Sequence, residues 1–376
     1  MQKPKLAVIS PNYPNIDNRY ANAFIHSRLK KYNDNFNIQV LCFKPNTSYN
    51  EEYIYEGIKV YNYYSINNLK NHLSNFSPNK IAIHFPRLWL FDIIQNCKCP
   101  IFIWIHGLGA IGWYRRLFDM PIKPKRLVKY IINNSKQLFF MHKLIKYANR
   151  TGKITFIFVS KWIYRITRID AFSKIKNYKI IPNLIDENLF IYNEKNAGHR
   201  KKILLIRSFN SKKYANDIAI NAIKFLSKTS VFHDIEITIY GEGKYFYRLT
   251  NKIKHFKNVK LFNSFIENCN IPEIHYDYGI FLCPTRQDTH GVSACEAMSS
   301  GLVPITSNNS AVPEYIKHLK TGYLAKSAIE ISNAIIMLYK NPELFLQLSK
   351  SASADIIKKC GNRAVIDAEI RLLLNQ

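Results

Sequence analysis

The chain has 376 residues, 47% hydrophobic and 14% aromatic, with 54 Lys and Arg against 26 Asp and Glu, for a formal net charge of +28. That length predicts two cores of ordinary domain size. It excludes a membrane span, because the longest uncharged apolar stretch, 100–114, contains three glycines and a histidine and falls short of the roughly 20 residues a spanning helix needs.

Residues 5–10 read as a first strand, too short an apolar run for a secretory signal. The loop 11–19, PNYPNIDNR, and a helix over 20–32 with Phe24 and Leu29 inward follow, a Rossmann-like opening without its glycine fingerprint. Residues 37–43, 53–61 (with Gly57) and 80–84 read as further strands. Over 100–107, the run IFIWIHG predicts a strand buried on both faces of a parallel sheet, with His106 at its carboxyl end. A lone histidine in that position is more often structural than functional. The seven cysteines are odd in number and mostly lie in apolar runs. Cys97 and Cys99 have no second pair to complete a zinc site, so the set reads as buried thiols in a reducing cytosol.

From Arg115 to Lys176 there are sixteen Lys or Arg and two acids, a balance of +14 and half the net charge. Aromatics are interleaved, among them Trp113, Tyr114, Phe118, Phe139, Phe140, Trp162 and Tyr164. Such a segment suits an anionic bilayer, a nucleic acid or merely solvent. With no recognisable nucleic-acid motif, the bilayer is preferred and no nucleic-acid partner is expected. Within the segment, 126–147 reads as a basic helix, 154–160 as a strand and 161–169 as a helix.

A polar stretch near 192–200 reads as a linker. The run ILLIR is a strand ending at Arg207, and the loop 208–215 carries Lys212 and Lys213, two cations near a helix start that suit a diphosphate or a solvated loop. Residues 236–240 are a strand closed by a turn with Gly241 and Gly243, and 258–263 is the next strand. Residues 278–314 then predict strand, loop, helix, strand, and open α/β sheets bind ligands at the carboxyl ends of such strands. Between Asp288 and Glu314 the only Asp, Glu, Lys or Arg is Glu296. A lone carboxylate among apolar residues needs hydrogen-bond donors, from ligand hydroxyls, backbone amides or a nearby Lys. The helix beginning near Gly291 offers unpaired N–H groups and a positive dipole end. Asn341 and Pro342 open a later helix, and 363–374 is the last.

The order Asp288, seven intervening residues, Glu296-Ala297-Met298, Gly301, Pro304 and Pro313-Glu314 resembles the signature of retaining glycosyltransferases of family 4. The resemblance is strongest over 202–325. It implies an α/β GT-B fold of two facing Rossmann-like domains with an inter-domain cleft. These would be 1–192 on the acceptor side, 193–355 for the nucleotide sugar, and a final segment, 356–376, whose helix crosses back to the first domain. It implies Asp288, His106 and Glu296 as the catalytic set. Asp288, His106 and His290 would meet the donor sugar and Glu296 the ribose. Arg207, Lys213 or Lys212, and the amides of Gly291, Val292 and Ser293 would meet the diphosphate.

Trp104-Ile105-His106-Gly107 followed by Trp113, Arg115 and Arg116 resembles the bacterial surface-polysaccharide branch of the family, which makes capsule, lipopolysaccharide and O-antigen. The implied reaction moves a sugar from a UDP- or GDP-type nucleotide sugar to a lipid-linked glycan with retention. No cofactor and no obligatory metal would be needed, and the enzyme would be cytoplasmic, held peripherally on the inner face of the membrane. A front-side substitution assisted by the leaving diphosphate fits, because the chain offers cations for phosphates and no obvious paired carboxylates for a two-step displacement. Alternatives are a nucleotide-sugar epimerase of the same architecture and a non-catalytic nucleic-acid- or membrane-binding protein. Three features depart from the family: the first acid is Asp where Glu is usual, His290 replaces a common aromatic, and the loop 11–19 lacks glycines.

Overall fold

The computed structural model describes residues 2–19, 21–107, 109–121 and 123–374. The chain divides into two compact units, Met1–Leu184 with Val365–Gln376, and Ile185–Ala364.

The first unit is built on an eight-stranded sheet in the order β3-β4-β2-β1-β5-β6-β7-β8. Its strands are β1 (Lys5–Ser10), β2 (Asn37–Phe43), β3 (Glu51–Tyr55), β4 (Ile58–Tyr63), β5 (Lys80–His84), β6 (Ile101–Ile105), β7 (Ile154–Phe158) and β8 (Tyr178–Ile180). Every neighbouring pair is parallel except β3 and β4. Every residue of β5, β6 and β7 is buried, as the continuous Ile and Phe content requires of strands covered on both faces.

One predicted element is corrected. Residues 53–61 are not a single strand but parts of an antiparallel hairpin, turned at Glu56 and Gly57 with φ of 42° and 82°. Positive φ at both central residues is what a two-residue hairpin turn demands, and glycine adopts it without strain. The first helix is Ala23–Tyr32, and Tyr20, where the sequence reading began it, lies outside the described residues.

The last helix, Asn362–Leu374, belongs mostly to the first unit. Glu369, wholly buried, faces Arg28 Nε at 3.3 Å and accepts from Trp104 Nε1 at 3.0 Å and from the Tyr32 hydroxyl. Arg28 also donates to Asn183 Oδ1 at 3.0 Å.

The second unit carries a six-stranded sheet in the order β11-β10-β9-β12-β13-β14. The strands are β9 (Lys202–Ile206), β10 (Glu236–Tyr240), β11 (Val259–Phe262), β12 (Ile280–Leu282), β13 (Val303–Ser307) and β14 (Tyr323–Ala325). All its pairs are parallel. Residues 185–192 pack here: Ile185 N–H donates to Cys360 O at 2.8 Å and Ser299 Oγ donates to Phe190 O at 2.6 Å. Residues 356–364 do likewise, with Glu187 accepting from Asn362 N–H at 2.8 Å. The divisions therefore fall at 184/185 and 364/365, against 192/193 and 355/356 as read from the sequence.

Candidate active site

In the second unit β9 and β12 are neighbours, and the chain leaving both carries the predicted phosphate and sugar residues. Arg207, just past β9, is 8% exposed. Its Nη2 donates to Cys283 O at 3.3 Å, its guanidinium lies 5.3 Å from the Tyr214 ring centroid, and its Nε has no hydrogen-bond partner among the described residues. Gly241 and Gly243 admit the 207–210 loop, since a Cβ on either would run into its backbone.

The short turn Lys212–Tyr214 is stitched to the loop after β12. Arg286 N–H donates to Lys213 O at 2.8 Å, Arg286 Nη1 to Lys212 O at 2.7 Å, and Thr285 Oγ1 to Lys213 O at 3.1 Å. Arg286 also forms a two-pronged pair with Asp217 at 2.8 and 2.6 Å. Sequence reasoning missed Arg286, whose partners lie 69 and 74 residues away. Of the two lysines left open, Lys212 is exposed and Lys213 acts electrostatically on Asp288.

Asp288 is 7% exposed, and its Oδ1 accepts from His290 N–H at 3.2 Å and Gly291 N–H at 2.8 Å. Burial alone would raise its pKa, but Lys213, Arg207 and the two amides outweigh burial and hold it below the usual carboxylate range. The Gly291 amide, expected at the diphosphate, thus donates to Asp288 in this structure. Val292 and Ser293 head the helix Val292–Ser299, the positions whose N–H groups have no intrahelical partner. Gly291 has φ of 70°, and a Cβ there would collide with the hydroxyl of buried Tyr315. Tyr315 was also missed, although it directly follows the Pro313-Glu314 landmark.

Glu296, one helical turn on, is half-buried, and its carboxylate accepts from Asn268 Nδ2 at 3.3 Å, its one partner among the described residues. Burial pushes its pKa up to about 7, with Asn268 and Arg207 pulling the other way. Neither a lysine nor a backbone amide is its partner, so it retains capacity for donors. His290, expected at the sugar, is 3% exposed, with its ring centroid 5.2 Å from that of Tyr315 and its Nε2 3.5 Å from Cys360 Sγ. It is packed among the unit's own side chains.

His106 lies in the first unit, following β6. Its Nε2 is 3.0 Å from His84 Nδ1, the rings are stacked at 5.3 Å, and Phe24 meets it edge-on at 5.0 Å. Burial first, and then the Arg28 charge, keep its pKa well below the ordinary imidazole value. Burial does the same to His84, aided by His106 and Arg28. Two neutral imidazoles so placed share one proton across their contact, which ties the tautomer of one to that of the other. His84 was not singled out in the sequence; the available signal was that, of the parallel neighbours, β5 ends at His84 and β6 is followed directly by His106.

The basic segment of the first unit is partly tied down. Arg115 pairs with buried Asp170 at 2.9 Å, and Arg116 with Asp119 at 3.6 Å. Phe140, read as a surface aromatic, is 1% exposed core, because it falls on the inward face of the helix Pro124–Thr151. The outward face carries Val128, Ile132 and Phe139, 56%, 46% and 59% exposed, among exposed Lys123, Lys125, Arg126, Lys129, Lys136 and Lys143.

Residues 188–355 match the family Glycosyl transferases group 1. The matched stretch lies within the second unit. Among curated proteins, the N-acetyl-alpha-D-glucosaminyl L-malate synthase of Bacillus anthracis is 22% identical over 203 residues, 51% of this chain and 52% of the relative. The match thus spans about half the length of that relative. Among solved structures, the sucrose-phosphate synthase tll1590 of Thermosynechococcus elongatus has a TM-score of 0.74 at 14% identity, over 99% of both chains. Anabaena Alr3699/HepE, solved with UDP and glucose, has a TM-score of 0.70 at 14% identity, over 99% of this chain and 100% of that one. These likenesses establish the fold: GT-B, two Rossmann-like units with largely parallel sheets.

Proposed function

We propose that the chain is a retaining glycosyltransferase that moves a sugar from a UDP- or GDP-type nucleotide sugar to a lipid-linked glycan of bacterial surface polysaccharide synthesis. It would work at the inner face of the cytoplasmic membrane without an obligatory metal. The observation that carries this reading is the convergence, at the carboxyl ends of β9 and β12, of Arg207 and Lys213 on Asp288, beside a helix start and Glu296. Two cations and unpaired helix N–H groups are the provision a diphosphate requires, and preorganised positive charge stabilises it as it leaves. In this assignment Arg207, Lys213, Val292 and Ser293 hold the diphosphate, Glu296 the ribose and Asp288 the donor sugar.

The lipid-linked acceptor and the membrane are supported by the exposed apolar stripe Val128, Ile132 and Phe139 among lysines, the pattern of a helix lying in a bilayer interface. No helix among the described residues is long and apolar enough to cross a membrane. A small polar acceptor is the second reading, favoured by the malate and sucrose-phosphate in the names of two relatives.

The deciding assay incubates the full chain with UDP- and GDP-sugars, alone and with a bacterial glycolipid extract, malate or sugar phosphates. The expected result is transfer only to glycolipid, with the donor's anomeric configuration kept in the product by NMR. Release of an isomerised nucleotide sugar without acceptor would establish an epimerase instead. Failure to bind any nucleotide would reject both enzymatic readings.

A further inference from the structure

Cys97-Lys98-Cys99 joins the helix Leu90–Asn96 to β6, at the end of that strand opposite His106. Expected to be buried thiols, the two cysteines are half-buried and in contact. Their Sγ atoms are 3.2 Å apart, and Cys97 Sγ is 3.6 Å from Cys99 O. They line a cavity of about 590 Å³ together with Lys70, Leu73, Ser77, Pro78 and Lys98, within the roughly 300–1,000 Å³ of small-ligand sites. The other cysteines lack this combination: Cys42, Cys283, Cys295 and Cys360 are buried, and Cys269 is exposed with neighbours Glu267 and Asn270 rather than a second thiol.

We propose that Cys97 and Cys99 form a reversible redox site, oxidised to an internal disulfide by small disulfides of the glutathione class that enter this cavity. The Cys97 thiolate attacks one sulfur of the small disulfide, whose S–S bond breaks, and the departing thiolate takes up a proton. Cys99 then loses its proton and attacks Cys97 Sγ, expelling the second small thiol. Two protein thiols and one small disulfide thus become one protein disulfide and two small thiols. The electron pair passes from the protein to the oxidant.

The division of labour follows from the local chemistry. The hydrogen bond from Cys99 chiefly, with some help from Lys153, brings the Cys97 thiol down to about 7, while the same contact and burial drive Cys99 up. A thiol with a pKa near ambient pH is the better attacking group. A disulfide bond is about 2.05 Å long, so ring closure needs a movement of only about an ångström. A bridge across one intervening residue is a tight ring, and strained bridges are the ones readily reduced again.

The test treats the full chain, in a Cys269→Ser background, with oxidised glutathione and follows free thiols and intact mass. The expected result is joint loss of the Cys97 and Cys99 thiols, a mass lower by two hydrogens, a peptide map linking the two cysteines, and full reversal by dithiothreitol. Cys99→Ser should stop at a lasting glutathione adduct on Cys97, and Cys97→Ser should leave Cys99 unmodified. The proposal is overturned if the Cys269→Ser protein keeps both thiols, or ends with glutathione on either cysteine in place of the internal bridge.

Discussion

Arg28 and Glu369 in the first unit, and Arg207 and Asp288 in the second, are all at most 8% exposed, yet they are partnered in opposite ways. Arg28 and Glu369 face each other and are closed off by Tyr32, Trp104 and Asn183. Arg207 has one carbonyl and an aromatic face, and Asp288 has two backbone amides, with Lys213 and Arg207 acting on it through space. A charge matched by a counter-charge in its own chain acts as a structural clamp, even though Arg28 Nε, like Arg207 Nε, has no hydrogen-bond partner among the described residues. A charge buried with spare donors or acceptors has the energetic reason to take a ligand.

The largest expected effect breaks the clamp. Glu369→Ala leaves Arg28 buried without its counter-charge, which should cost about 3–5 kcal/mol. All four tryptophans, Trp89, Trp104, Trp113 and Trp162, lie in the first unit, so their fluorescence during denaturant unfolding reads that unit alone. Its transition should move to lower denaturant while UDP affinity stays unchanged. An unmoved transition would show that the counter-charge is not what makes the pair structural.

The next prediction sharpens the comparison through pH. The Glu296 pKa of about 7 in the folded protein lies above the ordinary 4.5. The stability it contributes is therefore fully present below about pH 4.5 and is lost as pH rises through about 7. Wild type should lose stability over that window relative to Glu296→Gln. Affinity for bare UDP should rise about tenfold from pH 6 to pH 8, as the carboxylate ionises and accepts from ribose hydroxyls, beyond whatever change Glu296→Gln shows. Asp288→Asn should spare bare UDP and weaken the sugar nucleotide. Equal losses on both ligands would refute the division of roles.

Smallest per residue is the effect at the solvated charges, each worth about 1 kcal/mol against an anionic leaflet. Changing Lys123, Lys125, Arg126 and Lys129 to Gln should release the chain from anionic vesicles in sedimentation, as should high salt. Arg115→Gln should instead lower stability, because it uncovers buried Asp170. Sedimentation indifferent to lipid charge would remove the bilayer reading.

The parallel strands were legible because burial on both faces writes itself as unbroken apolar runs. The proposed donor site was legible in part: Arg207 stands just past a strand, and Asp288 and Glu296 lie at fixed spacing along one stretch. Arg286, Tyr315, His84 and Glu369 were not, since each acts through partners brought close by the fold, Glu369 meeting Tyr32 and Trp104 from 337 and 265 residues away. The hydrogen bond from the Gly291 amide to Asp288 was equally hidden, because spacing does not reveal which way a carboxylate turns.

The central claim is that the under-partnered charges of the second unit are a nucleotide diphosphate site, and calorimetric titration of the full chain with UDP tests it most directly. Wild type should bind, and Arg207→Ala and Lys213→Ala should each weaken binding about tenfold or more, from roughly 1.5–3 kcal/mol per lost charge-assisted hydrogen bond. The double variant should lose both contributions while the tryptophan-reported unfolding transition is unchanged. Equal affinity in wild type, both single variants and the double variant would contradict the account.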